Sequence, residues 1–169
     1  LSKRFILAHY EQPSRSCPTI ARIQEDPLIR SVATAYLRRE PRSIDAKLWW
    51  SFAVDTTDEN RLDSRQTIRF HYDAEGYLLL YFNFYLTDVD VLSGPHVAVR
   101  HSHGRKPLRF LLLSANQSDD DIVRRYGAEH VVTICGKAGF GFAEDAYCFH
   151  KALPPRSQDR LFLQLRMLV

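Results

Sequence analysis

The chain has 169 residues, of which 45% are hydrophobic and 25% are charged, and its formal net charge is +3 at pH 7. This length and balance are typical of one globular domain with a hydrophobic core. No apolar run approaches the roughly 18 residues that span a bilayer, so no membrane protein is expected. Lys and Arg are scattered among acids, so no nucleic-acid partner is expected, whereas a small anionic substrate is compatible with the charge.

The cysteines bear on the cellular compartment. Cys17, Cys135 and Cys148 are an odd number and lack the Cys-x-x-Cys spacing of zinc and redox sites. They argue against a disulfide framework and predict a cytoplasmic protein. Because the chain begins at Leu1 rather than at Met, we expect it to start inside a longer protein.

Two helices and a β-rich remainder are predicted in chain order. Residues 1–8 are basic and then briefly apolar, too short for a signal peptide, and are predicted as a strand. Asp26 as N-cap and Pro27 as first helical residue predict a helix that ends before Pro41. A second, short helix is predicted over Asp119–Tyr126, with Ser118 as its cap.

The remaining segments predict the fold class. Strands are expected at residues 47–54, 67–72, 77–86, 96–101, 108–114, 131–135, 140–149 and 160–168. About eight strands behind a helix favour a mainly β fold with a double-stranded β-helix (jelly-roll or cupin-like) core, a flanking N-terminal helix and a short inserted helix. We expect a single domain, residues 1–169, with a flanking segment of about residues 1–45 and a core of residues 46–169.

Three residues form a candidate metal site. His71 and Asp73 share one face of a predicted strand, because side chains alternate along a strand. A third ligand must come from a distant strand, and His150 is expected to end the strand of residues 146–150. Two histidines and one carboxylate are the ligand set of non-haem Fe(II) oxygenases. The alternative is a loop histidine beside a solvated aspartate.

A candidate anion-binding residue follows the third ligand. Arg160 lies ten residues beyond His150 and opens the last predicted strand. Its guanidinium could bind a dicarboxylate in bidentate fashion, which a lysine would do less well. The alternative is a surface arginine paired with Asp159. Phe162 and Gln164 share the phase of Arg160 and are expected to line the same cavity.

Five segments carry a resemblance to a known family, from residue 70 to the C terminus. They are Phe-His-Tyr-Asp at 70–73, Tyr-Leu-Thr-Asp-Val-Asp at 85–90, the Gly-Pro to Ser-His stretch at 93–103, Gly-Lys-Ala-Gly at 136–139, and the segment from His150 to Leu161. In this order and spacing the chain resembles the phytanoyl-CoA dioxygenase-like proteins. The resemblance implies an Fe(II)- and 2-oxoglutarate-dependent non-haem iron dioxygenase that hydroxylates a small-molecule substrate with O2.

The resemblance also implies roles for individual residues. His71, Asp73 and His150 would be the catalytic iron ligands, and Arg160 would hold the C5 carboxylate of 2-oxoglutarate. Asn83 lies on the polar and aromatic face of its strand, and we expect it near the cosubstrate.

Two positions depart from the family pattern. Ala152 stands where many members carry a small hydroxyl residue that helps to hold the cosubstrate, and His101 stands where the Gly-Ser-His turn has glycine. Two alternatives therefore remain open: a cupin-like metal-binding isomerase, and a catalytically inactive jelly-roll interaction module. Of the other histidines, His96 is expected to pack or hydrogen-bond, and His103 is not expected to bind metal with His101.

Overall fold

The structure is a computed structural model that describes residues 5–74, 78–104, 106–112 and 116–169. Its elements in chain order are β1 (Leu7–Tyr10), α1 (Pro13–Ser16), α2 (Pro18–Gln24), α3 (Pro27–Leu37), β2 (Ser43–Ser51), α4 (Asp58–Asp63), β3 (Leu79–Tyr85), β4 (His96–Val99), α5 (Leu108–Leu112), α6 (Asp119–Tyr126), β5 (Val131–Ile134), β6 (Gly141–Asp145), β7 (His150–Ala152) and β8 (Arg160–Leu168). The strands form two antiparallel sheets, a large one in the order β1-β2-β8-β3-β6 and a small one in the order β5-β4-β7.

The two faces of β8 separate the helical layer from the interior between the sheets. Leu163, Leu165 and Met167 point to one face, where they form a buried cluster with Ile20 of α2 and Leu37 of α3. Because side chains alternate along a strand, Arg160 and the residues in phase with it point to the opposite face. That face lines a cavity that the small sheet also borders. The helices therefore cover the outside of the large sheet, and the candidate site lies on its inside.

Both predicted helices are confirmed, together with their caps. The carboxylate of Asp26 accepts hydrogen bonds from the backbone N–H groups of Leu28 and Ile29, at 2.9 and 3.1 Å. The hydroxyl of Ser118 accepts one from the N–H of Asp121 at 3.2 Å. These side chains satisfy N–H groups that have no partner within the first turn of a helix. The short helices α1, α2 and α4 were not predicted.

The strand predicted over residues 108–114 is wrong for its described part. Leu108–Leu112 form helix α5, and residues 113–115 lie outside the described part of the chain. A short apolar run fits either a strand or a helix, and here Pro107 precedes the first turn. Only Phe110 of this helix is buried, with its ring 5.7 Å from that of Phe149, while Leu108 and Leu112 are exposed.

The strand predicted over residues 140–149 is also wrong in its second half. β6 ends at Asp145, whose carboxylate accepts from the N–H of Tyr147 at 3.0 Å and whose carbonyl accepts from the N–H of Cys148 at 2.9 Å. An aspartate that binds the backbone two residues on is a strong turn former. His150 therefore begins β7 and does not end the predicted strand.

Other predicted strands differ mainly at their ends. Residues 67–72 do not form a continuous strand, and only Phe70 and His71 make isolated bridges, to Gln117 and His150. The strand predicted over residues 77–86 is Leu79–Tyr85, and Tyr77 lies outside the described residues, as do residues 1–4 of the predicted first strand. In the described part of the chain, no helix is long and apolar enough to cross a membrane, and the three cysteines are free.

The turn before α5 explains how the chain accommodates a histidine in place of glycine. His101 has a φ of 63°, the left-handed conformation that glycine adopts at little cost. The next residue, Ser102, is fully buried; its hydroxyl donates to the carbonyl of Val99 at 2.8 Å and accepts from the N–H of Phe149 at 2.7 Å. Ser102 therefore ties this turn to the residue that precedes His150.

We predict that Ser102→Ala lowers the free energy of unfolding by about 2 kcal/mol, because it leaves the buried N–H of Phe149 without a partner. The measurement is urea unfolding followed by tryptophan fluorescence. Ser31→Ala is the matched control, since among the described residues its exposed hydroxyl bonds only to the carbonyl of Leu28 within helix α3. Its effect should stay within about 0.5 kcal/mol. Equal effects of the two substitutions would contradict this role of Ser102.

Candidate metal centre

A reciprocal backbone pair brings two of the predicted ligands together. The N–H of His71 donates to the carbonyl of His150 at 2.9 Å, and the N–H of His150 donates to the carbonyl of His71 at 2.8 Å. Directly opposed residues on antiparallel segments place their side chains on the same face. The two imidazole rings consequently lie with their centroids 4.4 Å apart.

The carboxylate of Asp73 faces both imidazoles. Its backbone N–H donates to the carbonyl of Ala146 at 2.9 Å, which fixes the chain after His71. Oδ1 lies 3.9 Å from Nε2 of His71, and Oδ2 lies 3.9 Å from Nε2 of His150. The hydroxyl of Tyr81 donates to Oδ2 at 2.5 Å and so orients the carboxylate. One ligand atom from each of the three residues lies within 4.8 Å of the others.

The protonation of the histidines suits metal binding. Nδ1 of His71 lies 3.0 Å from the carbonyl of Arg69, and Nδ1 of His150 lies 3.0 Å from the carbonyl of Cys148. A carbonyl only accepts, so Nδ1 carries the proton and Nε2 is left as the free ligand atom, the usual arrangement around a bound metal. Burial, followed by repulsion from His150, lowers the pKa of His71 to about 4, which keeps this imidazole neutral near pH 7.

These observations test whether the site fits the metal that the resemblance implies. Two neutral imidazoles and one carboxylate, all meeting from one side, match the preference of Fe(II) for a ligand set that leaves positions open. The donor set therefore fits Fe(II). Whether His71, Asp73 and His150 act as ligands stays a prediction of the sequence.

A buried carboxylate lies behind the centre. Glu144 on β6 has only 7% of its surface exposed, and its Oε1 lies 2.7 Å from Nε2 of His96. Although burial raises the pKa of Glu144, the electrostatic effect of the neighbouring His96 and His150 rings and the hydrogen bonds from His96 and Asn83 lower it to about 2. The His96 ring stacks on that of His150 at 5.5 Å. Glu144 thus anchors the ring that packs against a predicted ligand, and His96 hydrogen-bonds as expected.

Arg160 points into the same interior. It is 2% exposed; Nη1 donates to the carbonyl of Gly94, and Nη2 donates to the hydroxyl of Ser51 at 3.0 Å. Its Nε has no hydrogen-bond partner in the described part of the chain. Burial lowers the pKa of Arg160 to about 10, so the guanidinium stays charged near pH 7. Asp159 does not pair with it and accepts instead from the N–H of Ala53 at 2.8 Å.

One cavity of about 270 Å³ joins these groups. Its walls include the three predicted ligands, Arg160, and the residues that alternate with it, Phe162 and Gln164. The prediction that Phe162 and Gln164 line the cavity is therefore confirmed. Ala152 also lines the cavity, and its side chain offers no polar atom there.

Asn83 does not face the cavity in this structure. It is fully buried on β3, where Nδ2 donates to Glu144 at 3.1 Å and Oδ1 accepts from Gln164 at 3.1 Å. Its neighbours on the same face, Tyr81 and Tyr85, reach Asp73 and the carbonyl of Ile134. Asn83 thus holds Glu144 on β6 and Gln164 on β8 in place. Because both of its polar atoms are used in these bonds between strands, Asn83 has no free group directed at a cosubstrate in this structure.

The second histidine pair does not converge on a metal site in the described residues. The ring of His101 packs edge-on against His130 at 5.2 Å, while Nδ1 of His103 bonds to Asp145. Neither residue lines the cavity.

Four site residues were not predicted from the sequence: Ser51, Gln66, Tyr81 and Glu144. Only Tyr81 carried a signal, as a polar group on the inward face of β3.

Comparison with known proteins identifies the fold. No family model matches the chain, and no curated protein matches its sequence. Among solved structures, EctD from S. alaskensis with bound Fe superposes with a TM-score of 0.65 at 15% identity, over 99% of this chain and 58% of that chain. The chain has a jelly-roll fold. The predicted double-stranded β-helix is therefore confirmed.

Two further jelly rolls are similar over most of this chain. The non-heme alpha ketoglutarate dependent carbocyclase SnoK from nogalamycin biosynthesis has a TM-score of 0.66 at 17% identity, covering 96% of this chain and 63% of that one. The epimerase SnoN from the same biosynthesis has a TM-score of 0.62 at 17% identity, covering 96% and 61%. The chain spans less than two thirds of the length of each of these three proteins.

Proposed function

We propose that the chain is an Fe(II)- and 2-oxoglutarate-dependent dioxygenase of the phytanoyl-CoA dioxygenase-like group that hydroxylates a small molecule in the cytoplasm. The observation that carries the proposal is the meeting of His71, Asp73 and His150 at a cavity that Arg160 also lines. Support comes from jelly-roll neighbours whose structures contain Fe, or 2-oxoglutarate with 5-hydroxyectoine.

The residues of the chain would divide the work as follows. Nε2 of His71, Nε2 of His150 and the carboxylate of Asp73 would hold Fe(II), which supplies oxidation by O2 coupled to the conversion of 2-oxoglutarate into succinate and CO2. The Arg160 guanidinium would bind the far carboxylate of 2-oxoglutarate, while Ser51 and Gly94 keep the guanidinium in place. Tyr81 would orient the Asp73 carboxylate.

Exclusion of water is the other contribution of the fold. Phe162 and Trp49, with ring centroids 5.0 Å apart, form an apolar wall of the cavity. A dry wall strengthens the electrostatic interactions inside and protects a reactive centre from side reactions.

The free cysteines are consistent with a reducing compartment.

Ala152 favours a second candidate, a metal-binding jelly roll without 2-oxoglutarate turnover. It lines the cavity but offers no hydroxyl to a cosubstrate. The first proposal retains the stronger support, because Arg160 provides a buried cation with an unpartnered N–H on the cavity side of β8. The similar structures also include an epimerase and a carbocyclase as well as EctD. Hydroxylation is therefore one of several reactions that a centre of this kind supports.

We predict that the protein, supplied with Fe(II), ascorbate and carbon-labelled 2-oxoglutarate in air, forms labelled succinate slowly even without its own substrate. Mass spectrometry of the reaction over several hours is the measurement. Asp73→Asn should abolish the product, because it removes the only anionic ligand. Suppose that iron and 2-oxoglutarate bind, but the wild type forms no more labelled succinate than Asp73→Asn does. The metal-binding jelly roll without turnover would then replace the dioxygenase as the proposed function.

A further inference from the structure

The cavity carries more positive charge than its own acids neutralise. Its described walls include Lys47, Arg65, Lys151, Arg160 and Arg166, but a single carboxylate, that of Asp73. A cleft lined by charges of one sign raises the local concentration of ligands of the other sign. A cation that lacks an acidic partner in the protein is therefore free to bind an anionic ligand in the cavity.

Two of these cations are already neutralised by acids. Nζ of Lys151 lies 2.6 Å from Asp119, and Nη2 of Arg166 lies 3.0 Å from Asp45. With iron and 2-oxoglutarate in place, the carboxylate of Asp73 and the two charges of 2-oxoglutarate would be balanced by Fe(II) and Arg160. The unmatched cations are then those of Lys47 and Arg65.

Lys47 and Arg65 approach the cavity from opposite segments. Lys47 lies on β2 beside Gln164 of β8, and Arg65 lies in the turn after α4. Both are exposed, and no acid pairs with either one in the part of the chain that the structure describes.

The residue after Arg65 adds an unsatisfied donor. Gln66 is 4% exposed and lines the cavity, and its Oε1 accepts from Nη1 of Arg61 at 3.1 Å. Arg61 has only donors, so the amide cannot rotate without setting two donors against each other. Nε2 of Gln66 is thereby left without a partner among the described residues. Because Gln66 lines the cavity, an acceptor on a ligand is one partner that would satisfy this buried N–H.

An aromatic surface adjoins these donors. His9 stacks on Trp49 with ring centroids 6.0 Å apart, and both line the cavity next to Lys47. Burial, followed by the charge of Lys47, lowers the pKa of His9, which keeps that ring neutral. A ligand with an apolar or planar body could pack on this surface while its anionic group reaches the donors.

We propose that Lys47, Arg65 and Gln66 bind a carboxylate or phosphate group of the molecule that is oxidised. This assignment rests on the proposed function, since it counts 2-oxoglutarate and Fe(II) as occupants of the inner part of the cavity. The substrate would then be a small organic anion with an apolar body.

The test uses the protein loaded with Fe(II) and saturating 2-oxoglutarate under argon, with three probes of similar size: phenylacetate, phenyl phosphate and the neutral phenylacetamide. Binding is followed by tryptophan fluorescence at fixed ionic strength. We expect at least one anion to bind about tenfold more tightly than the amide. The anion that binds more tightly identifies the group as carboxylate or phosphate.

Variants locate the binding. The double variant Lys47→Gln/Arg65→Gln should remove the preference for the anion, while Arg22→Gln, which neutralises an exposed cation on α2, should keep it. Equal binding of anions and amide, or an unchanged preference in the double variant, would overturn the assignment. The 2-oxoglutarate charge-transfer band is recorded in the same samples. If the wild-type band is absent, the proposed function fails, and this assignment fails with it.

Discussion

Asp73→Ala and His150→Ala are each expected to lower the affinity for Fe(II) by more than about 100-fold. Changes to groups that only orient a ligand already cost about 10- to 100-fold in metal affinity, so loss of a ligand should exceed that range. The effect is direct, because Asp73 is the carboxylate that lies 3.9 Å from Nε2 of both histidines. Anaerobic titration with Fe(II), followed by metal analysis after desalting, measures it.

Matched substitutions separate ligand loss from general damage. Asp120→Ala removes an exposed carboxylate of α6, and His130→Ala removes an imidazole that does not line the cavity. Both should bind iron as the wild type does. Thermal unfolding of the metal-free variants checks that Asp73→Ala and His150→Ala remain folded. Iron binding within about threefold of wild type in a folded Asp73→Ala protein would rule out the proposed centre.

Arg160→Gln is expected to lower the affinity for 2-oxoglutarate by about 100-fold while leaving Fe(II) binding intact. Loss of one partner from a buried, hydrogen-bonded charge pair costs about 2–5 kcal/mol, and each 1.4 kcal/mol is a factor of ten. The substitution removes both the charge and the unpartnered Nε donor. Arg160→Lys should show a smaller loss, because it keeps the charge but not the planar fork.

The control for Arg160 is Arg156→Gln, which removes an exposed arginine of the preceding loop. Titration of 2-oxoglutarate into the Fe(II)-loaded proteins under argon compares the three variants with wild type. Loss of both iron and 2-oxoglutarate in Arg160→Gln would indicate a structural role, through its bonds to Ser51 and Gly94. Unchanged 2-oxoglutarate affinity would show that another group binds the cosubstrate.

The alternation of side chains along a strand was sufficient for Arg160, Phe162 and Gln164, which lie on β8. It also placed His71 and Asp73 on one face, although the structure has only an isolated bridge at His71 and no regular strand there. The two capped helices followed from local signals, namely an N-cap side chain with proline or acidic residues in the first turn. The long-range partner His150 was chosen for its place at the end of a predicted strand and was supported by the family resemblance, since no periodicity links it to His71.

The parts that could not be predicted depend on contacts between distant segments. Glu144 is an ordinary acid in the sequence, and its importance arises only where β3, β4 and β6 bring Asn83 and His96 to it. The run at 108–112 satisfies both helix and strand patterns, and the packing of Phe110 on Phe149 accompanies the helix. The turn at Asp145, which moves His150 to the start of β7, depends on one side chain.

The most direct test of the proposed centre is an anaerobic visible spectrum of the wild-type protein with Fe(II) as 2-oxoglutarate is added. The account predicts a weak charge-transfer band that saturates at one equivalent of 2-oxoglutarate, since chelation of the metal requires the three protein ligands to leave positions open. The band should be absent in Asp73→Ala. Iron binding without any band would contradict the dioxygenase, and no iron binding at all would contradict the assignment of His71, Asp73 and His150 as a metal centre.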